Sequence, residues 1–291
     1  MTDVRDLVAE ELKRPVDARV RDIGAAIAAK HGKASLAVLF YGSCLREKRL
    51  DGLMLDFYLI VSDYRIAYGK RWLALANRLI PPNVFHFEQD GLVAKYAVLS
   101  EPDFAHECSP DAWTVSTAAR FAQPSRLVWS ADKAAWERMI DIVARAAPTL
   151  LQWTLPLVDR RDVPALWKRA FKETFAAELR AEPLGRSAAI IDSDPERYDL
   201  FGAVALNSLQ PARSRRNALR WWKRKQRHGK RYSIARLAKA SMTFAGGADY
   251  IAWKINRHAG AKIALTPWQR RHPLLAGISL LPRLLRSGAI R

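Results

Sequence analysis

The sequence predicts an α+β fold: a mixed sheet with flanking helices, then a helical segment, then a basic amphipathic C-terminal tail. Three observations lead there. Short apolar runs of strand length, rich in Leu, Val, Ile, Phe and Tyr, are concentrated between residues 36 and 99. From Ser130 onward apolar residues recur at three- and four-residue intervals instead. The charge is also lopsided. Residues 211–291 hold 20 Lys and Arg against one acid, Asp249, so that segment alone carries the net charge of +19. With 291 residues, 49% of them hydrophobic, there is material for one large domain or two modest ones. We place boundaries near 130 and 210, giving segments 1–130, 131–210 and 211–291.

Taken in order, residues 3–31 carry a helical stripe (Val4, Leu7, Val8, Leu12, then Val16, Val20, Ile23, Ile27) divided in two by Pro15, with Gly32 as a stop. Strands follow at 36–41 and 53–61, and a helix at 64–80 ends on Pro81-Pro82. Residues 84–87 and 92–99 read as a hairpin turning on Gln89-Asp90-Gly91. A loop and helix over 101–122 stop before Pro124, and Leu127-Val128-Trp129 adds a short edge strand. Two helical stripes come next, one through Trp136, Ile140, Val143 and Ala147, the other over Leu166 to Leu179. No internal repeat and no low-complexity segment is present.

Composition excludes several classes. Two cysteines, Cys44 and Cys108, with no CxxC, build neither a disulfide framework nor a paired-cysteine zinc site. The N-terminal stretch MTDVRDLVAEELKR is acidic and lacks the apolar core of a signal peptide. The longest uncharged apolar run near the C-terminus, Pro273 to Pro282, is about half of what a spanning helix needs. The expectation is a soluble or peripheral protein whose basic third seeks phosphate, in nucleic acid or in anionic lipid head groups.

The chemistry is concentrated in residues 36–63. An apolar strand, Leu36 to Tyr41, ends in Gly42-Ser43; after twelve intervening residues Asp56 sits inside the next apolar strand. Nucleotidyl transfer needs backbone donors around a triphosphate, a divalent cation to neutralise it, and a carboxylate to hold that cation. A Gly-Ser turn supplies the first, since glycine admits a close backbone approach and serine adds a hydroxyl donor. Asp56 supplies the last. The full pattern has a second carboxylate one residue away, and here those positions are Met54 and Tyr58. Asp51, Asp63, Glu88 and Asp90 are the candidates for a second ligand; Asp63 also reads as a helix cap and Asp90 as a turn residue.

Several stretches, in order, resemble one family. Tyr41-Gly42-Ser43 with Met54-Leu55-Asp56-Phe57, Lys95-Tyr96-Ala97-Val98-Leu99-Ser100, and Ala119-Arg120-Phe121-Ala122-Gln123-Pro124 are similar to motifs of the mitochondrial-type phosphatidate cytidylyltransferases, the translocator assembly and maintenance proteins. That family also lacks the first aspartate of the pair. Departures are Cys44 in place of glycine, Val61-Ser62-Asp63 in place of a Val-Asp-Asp, and Asn83 to Phe87 in place of a "GVYYN" segment. The resemblance implies a nucleotidyltransferase-like sheet and transfer of CMP from CTP to phosphatidic acid, with Mg²⁺. It implies Gly42 and Ser43 on the triphosphate, Asp56 on Mg²⁺ and Lys95 on a phosphate; it does not single out the second metal ligand, for which we take Asp63 from the four candidates. Without the resemblance, Lys95 is equally a solvent-facing strand position, and His86 is a core or rim histidine.

Arg180, in Phe175 to Glu182, is a further candidate for phosphate, its alternative being a solvated helix face with Glu178 and Glu182. Trp221-Trp222 within a basic run suits either single-stranded nucleic acid or lipid head groups. The stripe Ile234, Leu237, Ser241, Phe244, Ala248, Ile251, Ile255 favours the membrane surface, or else packs on the body; residues 266–291 repeat that chemistry. The expected setting is an anionic membrane bound through 211–291, at the cytoplasmic face of a bacterial inner membrane or the mitochondrial matrix face. The competing readings are a nucleotidyltransferase acting on RNA or a small soluble acceptor, and a non-catalytic lipid- or RNA-binding module.

Overall fold

The structure is a computed structural model of the chain, and it describes residues 3–47, 50, 52–159, 162–178, 186–243 and 266. Its helices are α1 (Val4–Leu12), α2 (Ala18–His31), α3 (Ser43–Glu47), α4 (Tyr64–Tyr68), α5 (Arg71–Leu79), α6 (Glu101–Glu107), α7 (Ser116–Phe121), α8 (Lys133–Val143), α9 (Ala146–Thr154), α10 (Val163–Ala176), α11 (Arg186–Asp192), α12 (Pro195–Leu206) and α13 (Arg215–Thr243). The strands are β1 (Ser35–Tyr41), β2 (Met54–Val61), β3 (Asn83–Gln89), β4 (Leu92–Ser100) and β5 (Ser125–Ser130). They form one sheet in the order β3-β4-β2-β1-β5, with β2 and β4 parallel and every other pair antiparallel. This is the mixed α+β architecture that the apolar runs predict, with the edge strand at 125–130 in place.

Local chemistry sets the boundaries. Asp3 caps α1 in a reciprocal capping box with Asp6, and Asp17 caps α2 beyond the Pro15 break. The helix expected over 64–80 is two helices, because Gly69 takes a left-handed conformation (φ +60°) that ends α4. The β3–β4 hairpin turns on Asp90 and Gly91, both at positive φ. The Pro81-Pro82 bond is cis. After α6, Glu107 accepts from Trp113 N (3.0 Å) and Thr114 Oγ1 (2.6 Å), folding the loop back so that α7 returns onto the sheet.

The two faces of the sheet differ. Val38, Phe40, Phe57, Leu59 and Val98 pack under α2 and α4. On the other face Leu39, Tyr58, Ile60 and Leu99 join Phe104, Phe121, Met139, Leu150, Trp167 and Trp222 in a second, larger core. That core runs unbroken across residue 130, which marks a change from sheet to helical layer and not a break between cores. It also crosses 210. Trp222 is 1% exposed and donates Nε1 to the Trp153 carbonyl at 3.1 Å, and the Trp221 ring packs tilted against Trp153, with centroids 5.4 Å apart. Trp222 therefore anchors α13 to the body and is not placed to meet lipid or nucleic acid, while Trp221 is partly exposed and lines the groove beside α5. The stripe beyond Thr243 and the segment 267–291 lie outside the described residues.

Helix α13 crosses the end of α10 at Gly229. A Cβ there would stand 2.3 Å from the Ala177 carbonyl oxygen, a backbone atom that cannot swing away. Gly229→Ala is expected to destabilise the protein by about 1–3 kcal/mol, read as a lower urea midpoint with unchanged slope.

Further along α13, Lys239 is 5% exposed and donates Nζ to the carbonyls of Ile80 and Pro82 (2.7 Å to the latter), while Arg236 Nε donates to Pro81 at 2.8 Å. Burial, reinforced by Arg236, pushes the Lys239 amine down to about 7. A neutral amine keeps two N–H donors, enough for both carbonyls. Because the unfolded chain holds this proton up to the ordinary lysine range, near 10.4, it binds more protons than the folded one over roughly pH 7–10, so stability rises with pH there. Lys239→Met is expected to flatten that slope in denaturation curves taken across the window.

Candidate nucleotide site at the Gly42–Asp56 edge

Sheet register brings the sequence-predicted residues into one row. Tyr41 on β1 pairs with Asp56 on β2, Asp56 with Lys95 on β4, and Lys95 with His86 on β3. Residues paired across a sheet point to the same face, here the face covered by the larger core. Lys95 Nζ lies 3.0 Å from Asp56 Oδ1, both side chains being roughly a quarter exposed or less. This is an ion pair without hydrogen-bond alignment, since buried Oδ1 accepts no hydrogen bond of proper geometry.

Gly42 closes the row from β1. Its φ of +99° favours glycine, and a Cβ would stand 3.0 Å from Asp56 Oδ2. The Gly-Ser turn is thus seated against the Asp56 carboxylate, and Ser43 begins the short helix α3. Cys44 follows the turn as the second residue of α3. It is buried in the smaller core and its thiol faces the Met54 carbonyl at 3.6 Å, tethering the turn to the start of β2.

The helical layer contributes Arg120, which the sequence placed in a motif but to which it gave no role. Arg120 is the charged residue in α7, whose other side chains are buried. Its Nη2 lies 3.4 Å from Glu178 Oε1. Burial opposes its charge, yet Glu178, Tyr58, Tyr41 and Asp56 together raise its pKa. Arg120 therefore stands as a buried cation paired with Glu178 and within electrostatic reach of Asp56. Tyr41, Tyr58 and Phe121, with ring centroids 5.2–5.9 Å apart, form the apolar floor beneath it. The cluster offers two cations, each facing a carboxylate (Lys95 with Asp56, Arg120 with Glu178), and a glycine turn: donors that can bear on phosphate if they exchange those partners for it.

Two sequence assignments change. Asp63 does not join Asp56. It caps α4, its Oδ1 accepting from Arg65 N (2.7 Å) and Ile66 N (3.3 Å), and it lies past the far end of β2, roughly 20 Å away at about 3.3 Å per residue. Glu178 does not belong to a solvated helix face; it is 12% exposed and faces Arg120. Glu88 is exposed on edge strand β3, and Asp90 is a turn residue at positive φ. Arg180 and Asp51 lie outside the described residues.

The resemblance implies Mg²⁺ here. Among the described residues no group of three or more His, Cys, Asp or Glu could hold a metal ion. The residues fit Mg²⁺ only in a minimal form, with Asp56 as the protein ligand through its buried oxygen and phosphate and water completing the shell.

No protein-family model and no curated protein matches the chain. Among solved structures it is similar to a nucleotidyltransferase-like protein from Exiguobacterium sibiricum 255-15, at 9% identity over 92% of each chain and a TM-score of 0.29. A superposition that loose carries nothing about activity, which rests here on this chain's own residues. Among the described residues no helix is long and apolar enough to cross a membrane.

Proposed function

We propose that the protein is a nucleotidyltransferase, and specifically that it transfers CMP from CTP to phosphatidic acid, giving CDP-diacylglycerol and pyrophosphate. The observation that carries the general reading is the convergence of Gly42, Asp56, Lys95 and Arg120 at one edge of the sheet. The lipid acceptor is supported by the motifs around those residues and by the basic C-terminal third.

In this reading the Gly42-Ser43 turn holds the triphosphate through backbone N–H and hydroxyl donors. Lys95 and Arg120 bear on the phosphates and offset the charge that builds as the reaction proceeds. A phosphate oxygen of the lipid attacks the α-phosphorus of CTP, the bond from that phosphorus to the α–β bridging oxygen breaks, and pyrophosphate leaves with the electron pair. The attacking oxygen is already anionic, so no strong base is required, and rate comes from alignment and charge neutralisation. Bound at Asp56, Mg²⁺ would supply further neutralisation of the triphosphate. The enzyme would work at an anionic membrane surface without crossing it.

The test is incubation with CTP, Mg²⁺ and phosphatidic-acid vesicles, with mass-spectrometric detection of CDP-diacylglycerol and pyrophosphate. Product with CTP and phosphatidic acid supports the reading. CMP incorporation only into RNA or a soluble acceptor removes the lipid assignment while keeping the transferase, and no transfer to any acceptor removes both.

A further inference from the structure

Helix α5 is turned inside out. Its inward face presents Ala74 and Asn77, while Trp72, Leu75 and Leu79, at i, i+3 and i+7, point away from the body and are 47%, 58% and 67% exposed. Ile66 on α4 extends the patch at 64% exposed. An amphipathic helix ordinarily buries such a stripe. Here polar anchors hold the opposite face instead: Asn77 Nδ2 donates to the Val98 carbonyl at 2.9 Å and its Oδ1 accepts from Asn83 N, while Asn83 Nδ2 donates to Leu73 O at 3.0 Å. The helix is fixed in place without spending its apolar side chains.

What surrounds the stripe is cationic. Residues 64–80 contain Arg65, Lys70, Arg71 and Arg78, all exposed, and no acid. Beside Leu79, a groove of about 570 Å³ runs between α5 and α13, lined by Arg78, Trp113, Arg224, Lys225 and His228 together with one acid, Asp111. Trp113 is 49% exposed. Tryptophan and aliphatic side chains ringed by Lys and Arg match an interface whose interior is apolar and whose surface is anionic.

We propose that the α5 face, with the adjoining basic groove, seats the protein on an anionic lipid surface: Trp72, Leu75 and Leu79 enter the head-group boundary and the surrounding cations lie against lipid phosphates. This rests on the lipid half of the function proposed above. It assigns docking to a pre-formed face of the body in addition to the C-terminal tail. The same α13 that borders the groove packs at Gly229 against Ala177, next to Glu178.

The experiment uses the full chain and sedimentation with vesicles of phosphatidylcholine alone or mixed equally with phosphatidylglycerol. Expected are binding to the anionic vesicles, at least tenfold weaker binding by the triple variant Trp72→Ser/Leu75→Ser/Leu79→Ser, and weaker, salt-insensitive binding by Arg71→Glu/Arg78→Glu. All these side chains are exposed, so thermal midpoints should stay near the parent's. Parent-like vesicle binding by the triple variant overturns the proposal. So does a dimer of the parent that the triple variant loses in place of lipid binding, or RNA capture in place of vesicle binding. CMP transfer to a short-chain, water-soluble phosphatidic acid separates the two ideas: the triple variant keeps it if the site is assigned correctly, and the parent lacks it if the function is wrong.

Discussion

Asp56→Asn is expected to lower nucleotidyl transfer by roughly a thousandfold or more while leaving the fold in place. The substitution preserves shape and removes only the negative charge. In the site that charge has two duties: it is the carboxylate suited to a cation, and it pairs with Lys95 at 3.0 Å. Asparagine can do neither, and Lys95 loses its counter-charge while Arg120 keeps Glu178. The residue is partly exposed, so the fold should tolerate the change, with a thermal midpoint within a few degrees of the parent. Asp63→Ala provides the contrast. Its carboxylate caps α4, so its loss should cost about 1 kcal/mol of stability and leave transfer unchanged. Near-parental turnover in Asp56→Asn, or a large loss in Asp63→Ala, would exchange their roles. Measuring turnover and midpoint on the same samples decides it.

The largest expected effect on stability lies elsewhere, at Glu11 and Arg197. Both are nearly fully buried, with side chains 4% and 7% exposed. Arg197 reaches Glu11 through Nε and through Nη2 (3.0 Å to Oε1), and Nη1 donates to the Ala122 carbonyl at 3.1 Å; Ser125 N donates to Glu11 at 3.4 Å. One ion pair therefore ties α1, α12, the end of α7 and the start of β5. Removing one partner leaves the other charged and almost wholly buried. Arg197→Met is expected to cost about 3–5 kcal/mol and to lower the thermal midpoint by roughly 10 °C. Replacing both partners together, Glu11→Leu with Arg197→Met, should recover most of that loss. A loss under about 1 kcal/mol in the single variant, measured by urea denaturation, would mean that the pair is solvated.

The strands were legible because each is a short apolar run punctuated by Gly, Pro or Asp. The row Gly42, Asp56, Lys95 was legible because the register of a sheet places residues near one end of neighbouring strands side by side. Arg120 and Glu178 were not assigned, because their meeting is set by the packing of α7 and α10 on the sheet, which no local period encodes. A signal for Arg120 was present all the same: a lone cation in a helix of Ser, Thr, Ala and Phe needs a partner if that helix is buried. Asp63 followed the opposite course. Its cap role was visible in sequence, and the ligand role failed because seven positions along an extended chain is too far. The Trp221-Trp222 pair reads the same in sequence whether it meets lipid or a core, since only the shape of the surrounding helices decides.

The larger core has a consequence for how the chain can be divided. A single apolar assembly runs from Val8 through Leu39, Phe121 and Trp167 to Trp222. Cutting at 130 would strip one face of the sheet bare, and cutting at 210 would pull Trp222 out of its seat against Trp153. Neither fragment is an excisable module, and each is expected to unfold or aggregate on its own account. Deletions at either point therefore cannot be read as removing one function and sparing another, because both cut through the same core.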